Sequence, residues 1–248
     1  MIVNFKNIIL LFVLGYPYLA WSQAQEAQEA QESIAAKPSF ELAQINQSCD
    51  SNTETVSIIL HRTKRDQKIK APKGLDSDQA WLSAQLKEAQ SLFKEIGVCF
   101  QFTEDHGLPK SESQMKTRTQ RTRLGRKSGR LHKGHIDLFI VNKLVDVDVP
   151  DQQIRGVHWR DPKDRKHKRW IILSRIARPK VLAHELGHYF DLPHSKYPKS
   201  IMNKTPRTVP PMNERGFVKA EYKIMKKAWT RMKRSKHLVP VSALNALK

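Results

Sequence analysis

Residues 181–195 read VLAHELGHYFDLPHS and place three histidines and a glutamate in a largely apolar stretch. Each residue of an α-helix turns by about 100 degrees, so His184 and His188 lie about 40 degrees apart on one face. Side chains four apart on a helix are neighbours, and both imidazoles can bind one Zn²⁺ at about 2.0–2.1 Å. The spacing predicts a zinc site on a helix over residues 179–190. The opposite face of that helix is apolar and consists of Leu182, Ala183, Leu186 and Phe190.

Glu185 lies about 60 degrees from His188 on the same helix, where it flanks the ion without binding it. A carboxylate in that position can accept a proton from a water that the metal activates, and then pass the proton to a leaving amine. This chemistry belongs to the H-E-x-x-H pattern. The pattern predicts Glu185 as a general base in peptide-bond hydrolysis.

A hydrolytic zinc site has three protein ligands and one open position. His194 is the predicted third ligand, which requires the chain to leave the helix and turn back near Asp191 and Pro193. Such a turn often needs a residue with positive φ, which aspartate tolerates. Glu214 and Glu221 are alternative third ligands.

The segment from His184 to His194, HELGHYFDLPH, resembles the metzincin zinc signature H-E-x-x-H-x-x-G-x-x-H. It departs from that signature at Asp191, where the family usually has glycine. The later segment SIMN resembles the methionine turn of metzincins, which implies Met202 as an apolar floor beneath the histidines. SIMN and the short C-terminal part resemble the pappalysin-like branch.

The resemblance implies an α/β (α+β) metzincin-like fold. We expect a mixed, twisted sheet of about five strands, an active-site helix, a backing helix, and a small C-terminal subdomain that ends in a helix. The implied activity is that of a zinc metalloendopeptidase with one catalytic Zn²⁺. A protein or peptide substrate would add to an edge strand at residues 154–159, and residues 203–212 would form the specificity pocket. Tyr197 is an alternative oxyanion donor or a surface tyrosine.

Apolar periodicity predicts the elements that position this site. Asp76 or Ser77 can cap the first helix, and Gly97 can end it. The order strand, helix, strand at the start indicates a parallel pair. The predicted strands are residues 55–62, 98–102, 135–145, 154–159 and 169–174, and the other predicted helices are residues 76–97 and 217–233.

The first 24 residues have the layout of a secretory signal peptide, which predicts a secreted or periplasmic protein. We expect residues 25–52 to form a low-complexity spacer or short pro-segment, residues 53–238 the catalytic domain, and residues 239–248 a tail. No later apolar run is long enough for a transmembrane segment. In an oxidising compartment Cys49 and Cys99 are expected to form a disulfide.

The formal net charge of +20 predicts attraction to polyanions. Residues 109–134 are rich in lysine and arginine and read as an exposed, mobile insertion. Within it, residues 110–133 suggest an anionic envelope polymer as a partner, whereas nucleic acid is not expected. Two other functions stay open: a basic binding protein with a vestigial zinc site, and a zinc amidase acting on cell-wall material.

The other histidines show no ligand spacing and are interpreted as surface or core residues. They are His61, His106, His132, His135, His158, His167 and His237.

Overall fold

The computed structural model describes residues 42–127, 129–149, 151–164, 168–205 and 209–244. The predicted signal peptide, most of the predicted spacer, and His167 lie outside these ranges. None of the helices in the described ranges combines the length and the apolar character that a membrane span requires.

A five-stranded mixed sheet forms the centre of the fold. The strands of the described residues are β1 (Glu54–Thr63), β2 (Val98–Leu108), β3 (Gln114–Met115), β4 (Ile136–Val141), β5 (Lys143–Leu144), β6 (Gly156–Arg160) and β7 (Arg169–Ser174). The main sheet has the order β2-β1-β4-β7-β6. Its strands run parallel except β6, which pairs with β7 in the antiparallel sense. The predicted mixed sheet is therefore confirmed, with β4 in its centre and β6 at one edge.

Helices pack around the sheet: the first, third and fourth were predicted, whereas the second lies in the predicted basic insertion and the fifth in the predicted tail. In the described ranges they are α1 (Asp78–Phe93), α2 (Arg118–Arg126), α3 (Val181–Tyr189), α4 (Lys219–Arg234) and α5 (Val241–Leu244). Ser77 caps α1 by accepting a hydrogen bond from the backbone of Ala80 at 3.0 Å. Gly97 has φ 73° and ends the 3-10 turn after α1, because glycine adopts the left-handed region without steric cost.

The two faces of the sheet bury different sets of side chains. Alternate residues of a strand point to opposite faces. On one face, Ile58 and Leu60 of β1 join the main core with the apolar sides of α1, α3 and α4. On the other face, Phe139 of β4 and Trp170 of β7 form a second cluster with Leu124 of α2. Helix α3 thus packs on one face and the basic segment on the other.

The prediction that residues 109–134 form an exposed, mobile insertion was wrong. The segment folds into β3 and α2, and Thr117 and Gln120 form a capping box at the start of α2. Leu124 is buried, and a Cβ atom at Gly125 would lie 2.5 Å from Cζ3 of Trp170. Glycine therefore lets the backbone of α2 approach the indole closely. Few apolar residues are needed for this contact, which is why composition alone suggested a loop.

Several basic side chains of this segment form internal ion pairs. The guanidinium of Arg126 binds Asp161 at 2.6 Å, and that of Arg130 binds Glu112 at 2.6 Å. Arg118 pairs with Asp148 in the same way. Part of the positive charge of the segment is thus matched by carboxylates of the same fold.

The packed part of the chain begins earlier than the predicted boundary at residue 53. Ile45 follows a 3-10 helix (Leu42–Gln44) and is buried in the main core. Asn46 accepts from and donates to the backbone of Phe102 at 2.9 and 2.8 Å. The structure contains the disulfide between Cys49 and Cys99, which joins this segment to β2.

Candidate active site

Helix α3 turns an apolar side to the core and a histidine side away from it. Leu182, Ala183 and Leu186 are fully buried, whereas His184 and His188 are half-buried. The side chains four residues apart therefore stay accessible to a ligand while their helix is fixed by packing.

Helix α1 holds the start of α3. Gln85 is buried in α1, and its side-chain oxygen accepts from the backbone N–H of Leu182 at 2.9 Å. Its side-chain nitrogen donates to the carbonyl oxygens of Ala177 and Arg178 at 3.2 and 2.7 Å. The first N–H groups of a helix have no partner within it, so Gln85 supplies one from outside. A single polar residue on the apolar side of α1 was the only sequence signal for this contact.

The structure brings His184, His188 and His194 together. One ring nitrogen from each lies within 4.8 Å of the others. The ring centroid of His188 lies 4.8 Å from that of His184 and 4.7 Å from that of His194. Three imidazoles at these separations can bind one Zn²⁺ with small adjustments.

Backbone carbonyls fix the orientation of two of these rings. Nδ1 of His184 donates to the carbonyl oxygen of Ile201 at 2.7 Å, and Nδ1 of His188 donates to that of Leu192 at 2.7 Å. A carbonyl only accepts, so each Nδ1 carries the proton and each Nε2 keeps its lone pair. Such outer hydrogen bonds orient the histidine ligands of metal sites.

Burial keeps the imidazoles neutral. It lowers the pKa of His188 to about 4, with a further contribution from His184. Burial also lowers the pKa of His184 below its ordinary value, despite the bond to Ile201. The pKa of His194 is lowered by burial and then by His184. Neutral imidazole is the form that binds metal, so the donor set fits Zn²⁺ at neutral pH.

Glu185 is 5% exposed and contacts the edge strand. Its Oε2 accepts the backbone N–H of His158 in β6 at 2.7 Å. Burial raises the pKa of Glu185 to about 8, against the opposing effects of that hydrogen bond and of the charge on Arg121. A carboxyl whose pKa lies near neutrality is suited to accept and release a proton.

Gly156 makes room for Glu185 at the start of β6. A Cβ atom at this position would lie 2.9 Å from both Cγ and Oε1 of Glu185, and 2.8 Å from Cγ1 of Val181. Cβ atoms do not approach so closely, so glycine allows the strand to pass the carboxylate. A glycine inside a strand pattern is a sequence signal for such close approach, and our reading of residues 154–159 missed it.

Met202 lies directly beneath the helix that carries the histidines. It is fully buried, and a Cβ atom at Gly187 would lie 2.7 Å from its sulfur. The backbone N–H of Ser195 donates to the carbonyl oxygen of Met202 at 3.0 Å, which connects this segment to the chain after His194. The methionine therefore contacts both the helix and the turn that returns from it.

The alternative third ligand Glu221 is engaged elsewhere. Its carboxylate accepts from the hydroxyl of Ser200 at 2.8 and 2.9 Å and from the backbone N–H of Val218 at 2.9 Å. Glu214 lies exposed in a 3-10 helix (Met212–Glu214). Among the described residues, the cluster with the two helix histidines contains His194 and neither glutamate.

Asp191 occupies the turn between His188 and His194 with φ 69°. Its carboxylate lies 3.3 Å from a guanidinium nitrogen of Arg160 and 3.3 Å from one of Arg169, and it also pairs with Arg231. Burial would raise the pKa of Asp191, but the arginines lower it below its ordinary value. The residue thus adopts the conformation for which glycine is usual and adds a link to β6, β7 and α4.

The sequence model of one family, described as matrixin, matches residues 26–217. The chain belongs to the matrixin family. It is therefore a metzincin-type zinc metallopeptidase with Zn²⁺ as its cofactor, which confirms the predictions of enzyme class and metal.

Solved structures similar to this matrixin include two microbial peptidases. One is metalloproteinase-II from Bacteroides fragilis, at 11% identity and a TM-score of 0.47, over 85% of this chain and 70% of that one. Another is a zinc-dependent peptidase from Methanocorpusculum labreanum (strain Z), at 15% identity and a TM-score of 0.37, over 67% of this chain and 99% of that one. No curated protein matches the sequence of the chain.

Proposed function

We propose that this matrixin is a secreted or periplasmic endopeptidase in which His184, His188 and His194 bind the catalytic zinc. The observation that carries the proposal is the convergence of three imidazoles beside one buried carboxylate. The outer hydrogen bonds of His184 and His188 support it, because they leave Nε2 as the donor atom on both rings.

Glu185 is the proposed general base. Bound zinc would supply Lewis acidity that polarises the scissile carbonyl and acidifies a water. Glu185 would take the proton of the attacking water and deliver it to the leaving nitrogen. The N–H of His158 holds Oε2 at 2.7 Å, so the carboxylate is oriented before substrate arrives.

The proposed substrate site runs along β6. This strand is the last in the sheet and pairs on one side with β7. An edge strand presents unpaired backbone groups to which an extended peptide can add. Residues 203–205 and 209–212 are the described part of the proposed specificity pocket wall. Tyr197 is 42% exposed, and we assign it no role in the reaction.

The proposed compartment is an oxidising one. The disulfide between Cys49 and Cys99 supports it, because such bonds persist outside the reducing cytosol. We propose residues 1–24 as a cleaved signal peptide and residues 53–238, together with the packed segment from Ile45, as the catalytic domain. The pappalysin-like branch stays a prediction beside the matrixin assignment. We also propose an anionic envelope polymer as a partner. This proposal is supported by the net charge of +20 and not by the basic segment, because Arg126 and Arg130 of that segment form ion pairs within the fold.

The test is replacement of the proposed base. We expect Glu185→Gln to bind one zinc at the histidines as the wild type does, but to lose cleavage of a protein mixture or peptide library by at least 100-fold. Glu95→Gln is the matched control, because Glu95 is an exposed glutamate on the 3-10 helix after α1. Equal cleavage by Glu185→Gln and wild type would refute the assignment. Release of peptides from peptidoglycan but not from proteins would point to the cell-wall amidase instead.

A further inference from the structure

A second group of metal-binding side chains lies on the sheet face opposite to α3. These histidines show no ligand spacing in the sequence, because they come from two strands and a loop. Strand β1 turns Ile58 and Leu60 toward the main core, so His61 points to the other face. His61 is buried and its ring stacks on Phe139 at a centroid distance of 4.5 Å.

A β-bulge in β2 brings two more potential ligands to this face. Phe102 pairs with Ile58, but the next partner of β1, Ile59, pairs with Glu104. Thr103 is the additional residue at this register shift, so the residues after it change faces. Glu104 and His106 consequently share the face of His61, and Oε2 of Glu104 lies 2.9 Å from Nε2 of His106.

Asp137 connects His61 to the loop before β4. Its Oδ1 lies 2.9 Å from Nε2 of His61 and 2.8 Å from Nδ1 of His132. Its Oδ2 accepts the backbone N–H of His132 at 2.9 Å. Asp137 is 3% exposed, whereas the side chain of His132 is 28% exposed. Two imidazoles therefore contact the same carboxylate oxygen, which is buried, while one of them, His132, is partly exposed to solvent.

The distances suit a bound cation. Ligand atoms of His61, His132 and Asp137 lie within 4.8 Å of one another, and so do those of Glu104, His106 and His132. Tetrahedral zinc with bonds of about 2.0–2.1 Å separates its ligands by about 3.3 Å. Binding of the ion would release to water the protons that Nε2 of His61 and Nδ1 of His132 share with Asp137, and would widen the two contacts by a few tenths of an ångström. Two imidazoles and a carboxylate form a donor set that zinc accepts, and Glu104 adds negative charge near the entrance.

We propose that His61, His132 and Asp137 form a second Zn²⁺ site, with water or His106 as the fourth ligand. The site does not depend on the assignment of the catalytic ligands, since it shares no residue with them. A bound ion would fasten the loop at His132 to β1 and β4, and its role would be structural.

The zinc content of the full chain tests this proposal. After removal of metal and reconstitution with excess Zn²⁺ followed by desalting, we expect two ions per wild-type chain. His132→Gln should retain one ion. His135→Gln is the matched control and should retain two, because its Nδ1 contacts Ser57 at 2.7 Å and it belongs to neither ligand group.

A second variant separates this site from the catalytic one. His184→Ala combined with His188→Ala removes two proposed catalytic ligands and should still bind one Zn²⁺, lost on adding His132→Gln. Titration of the double variant with Co²⁺ should give the visible absorption of a tetrahedral site, absent after adding His132→Gln. A single ion in the wild type together with none in the double variant would overturn the proposal. The cluster would then be a hydrogen-bonded histidine–aspartate group, while the catalytic zinc would remain supported.

Discussion

The backbone of Gly187 rests on the sulfur of Met202, since a Cβ atom on this glycine would lie 2.7 Å from Sδ. The ring of Phe217 lies at 3.0 Å from the same point. The helix that carries His184 and His188 thus packs directly on Met202 without an intervening side chain. This contact therefore sets how far the helix, and with it the rings of His184 and His188, lies from the core.

Gly187→Ala is expected to lift or tilt α3 and to destabilise the protein by about 1–3 kcal/mol, which is typical of overpacking a core. Zinc affinity should fall with it, because the rings of His184 and His188 would move together relative to His194. Urea unfolding and zinc competition would measure the two effects. Met202→Ala added to Gly187→Ala should recover part of the loss. If the two substitutions are simply additive, the contact does not set the position of the helix.

Gly156→Ala should impair catalysis more than zinc binding. The new methyl group would collide with Cγ and Oε1 of Glu185 and displace the carboxylate from the N–H of His158. We expect kcat to fall by at least 10-fold while one zinc remains at the histidines. Ile224→Ala, at an exposed position of α4 outside β6, is the control and should retain most of kcat. Unchanged kcat in Gly156→Ala would show that Glu185 has other room to move.

The two roles of Asp191 can be separated by substitution. Asp191→Gly retains the positive φ but removes the carboxylate that pairs with Arg160, Arg169 and Arg231. We expect a loss of about 1–2 kcal/mol, because Arg169 is largely buried and would lose a charged partner, while the other two arginines are half exposed. Arg160→Gln should cost less than about 0.5 kcal/mol. Both values come from urea unfolding, and equal losses would contradict this division.

His237 is expected to make the fold sensitive to acid. Burial, followed by the charges on Arg169 and Arg231, lowers its pKa to about 4. The unfolded chain binds a proton at about pH 6.5, so the stability that neutral His237 contributes is present above that pH and is lost as pH falls toward 4. Between pH 7 and pH 4.5 we expect the wild type to lose about 2 kcal/mol more than His237→Gln. Parallel losses in the two proteins would exclude His237 as the source.

The elements with a clear apolar period could be predicted from the sequence. The strand RWIILS at residues 169–174 was assigned with its observed bounds, and Ser77 was one of the two predicted caps of α1. The motif of residues 184–194 was enough to predict a zinc site, because its three histidines are close in sequence and are positioned by a helix and a turn, which are local structures. The order of β1, α1 and β2 likewise indicated the parallel pair that the structure contains.

The rest depends on contacts between distant segments. Helix α2 is stabilised by a capping box and by Gly125 against Trp170, which mean hydropathy does not detect. The cluster of His61, His132 and Asp137 depends on the register of β1 with β4 and on a loop that returns to the sheet. The change of face at Thr103 follows from one additional residue in β2, and the sequence there reads as a regular strand.

The contact between Gln85 and Leu182 has a consequence for biosynthesis. In the proposed export, the chain crosses the membrane N-terminus first, so β1, α1 and β2 reach the oxidising compartment before α3 and can fold first. The side chain of Gln85 can therefore be in position to accept the N–H of Leu182 when the HELGH segment emerges. The nascent enzyme would acquire its catalytic helix by docking onto an assembled scaffold, so that proteolytic capacity is the last property to mature.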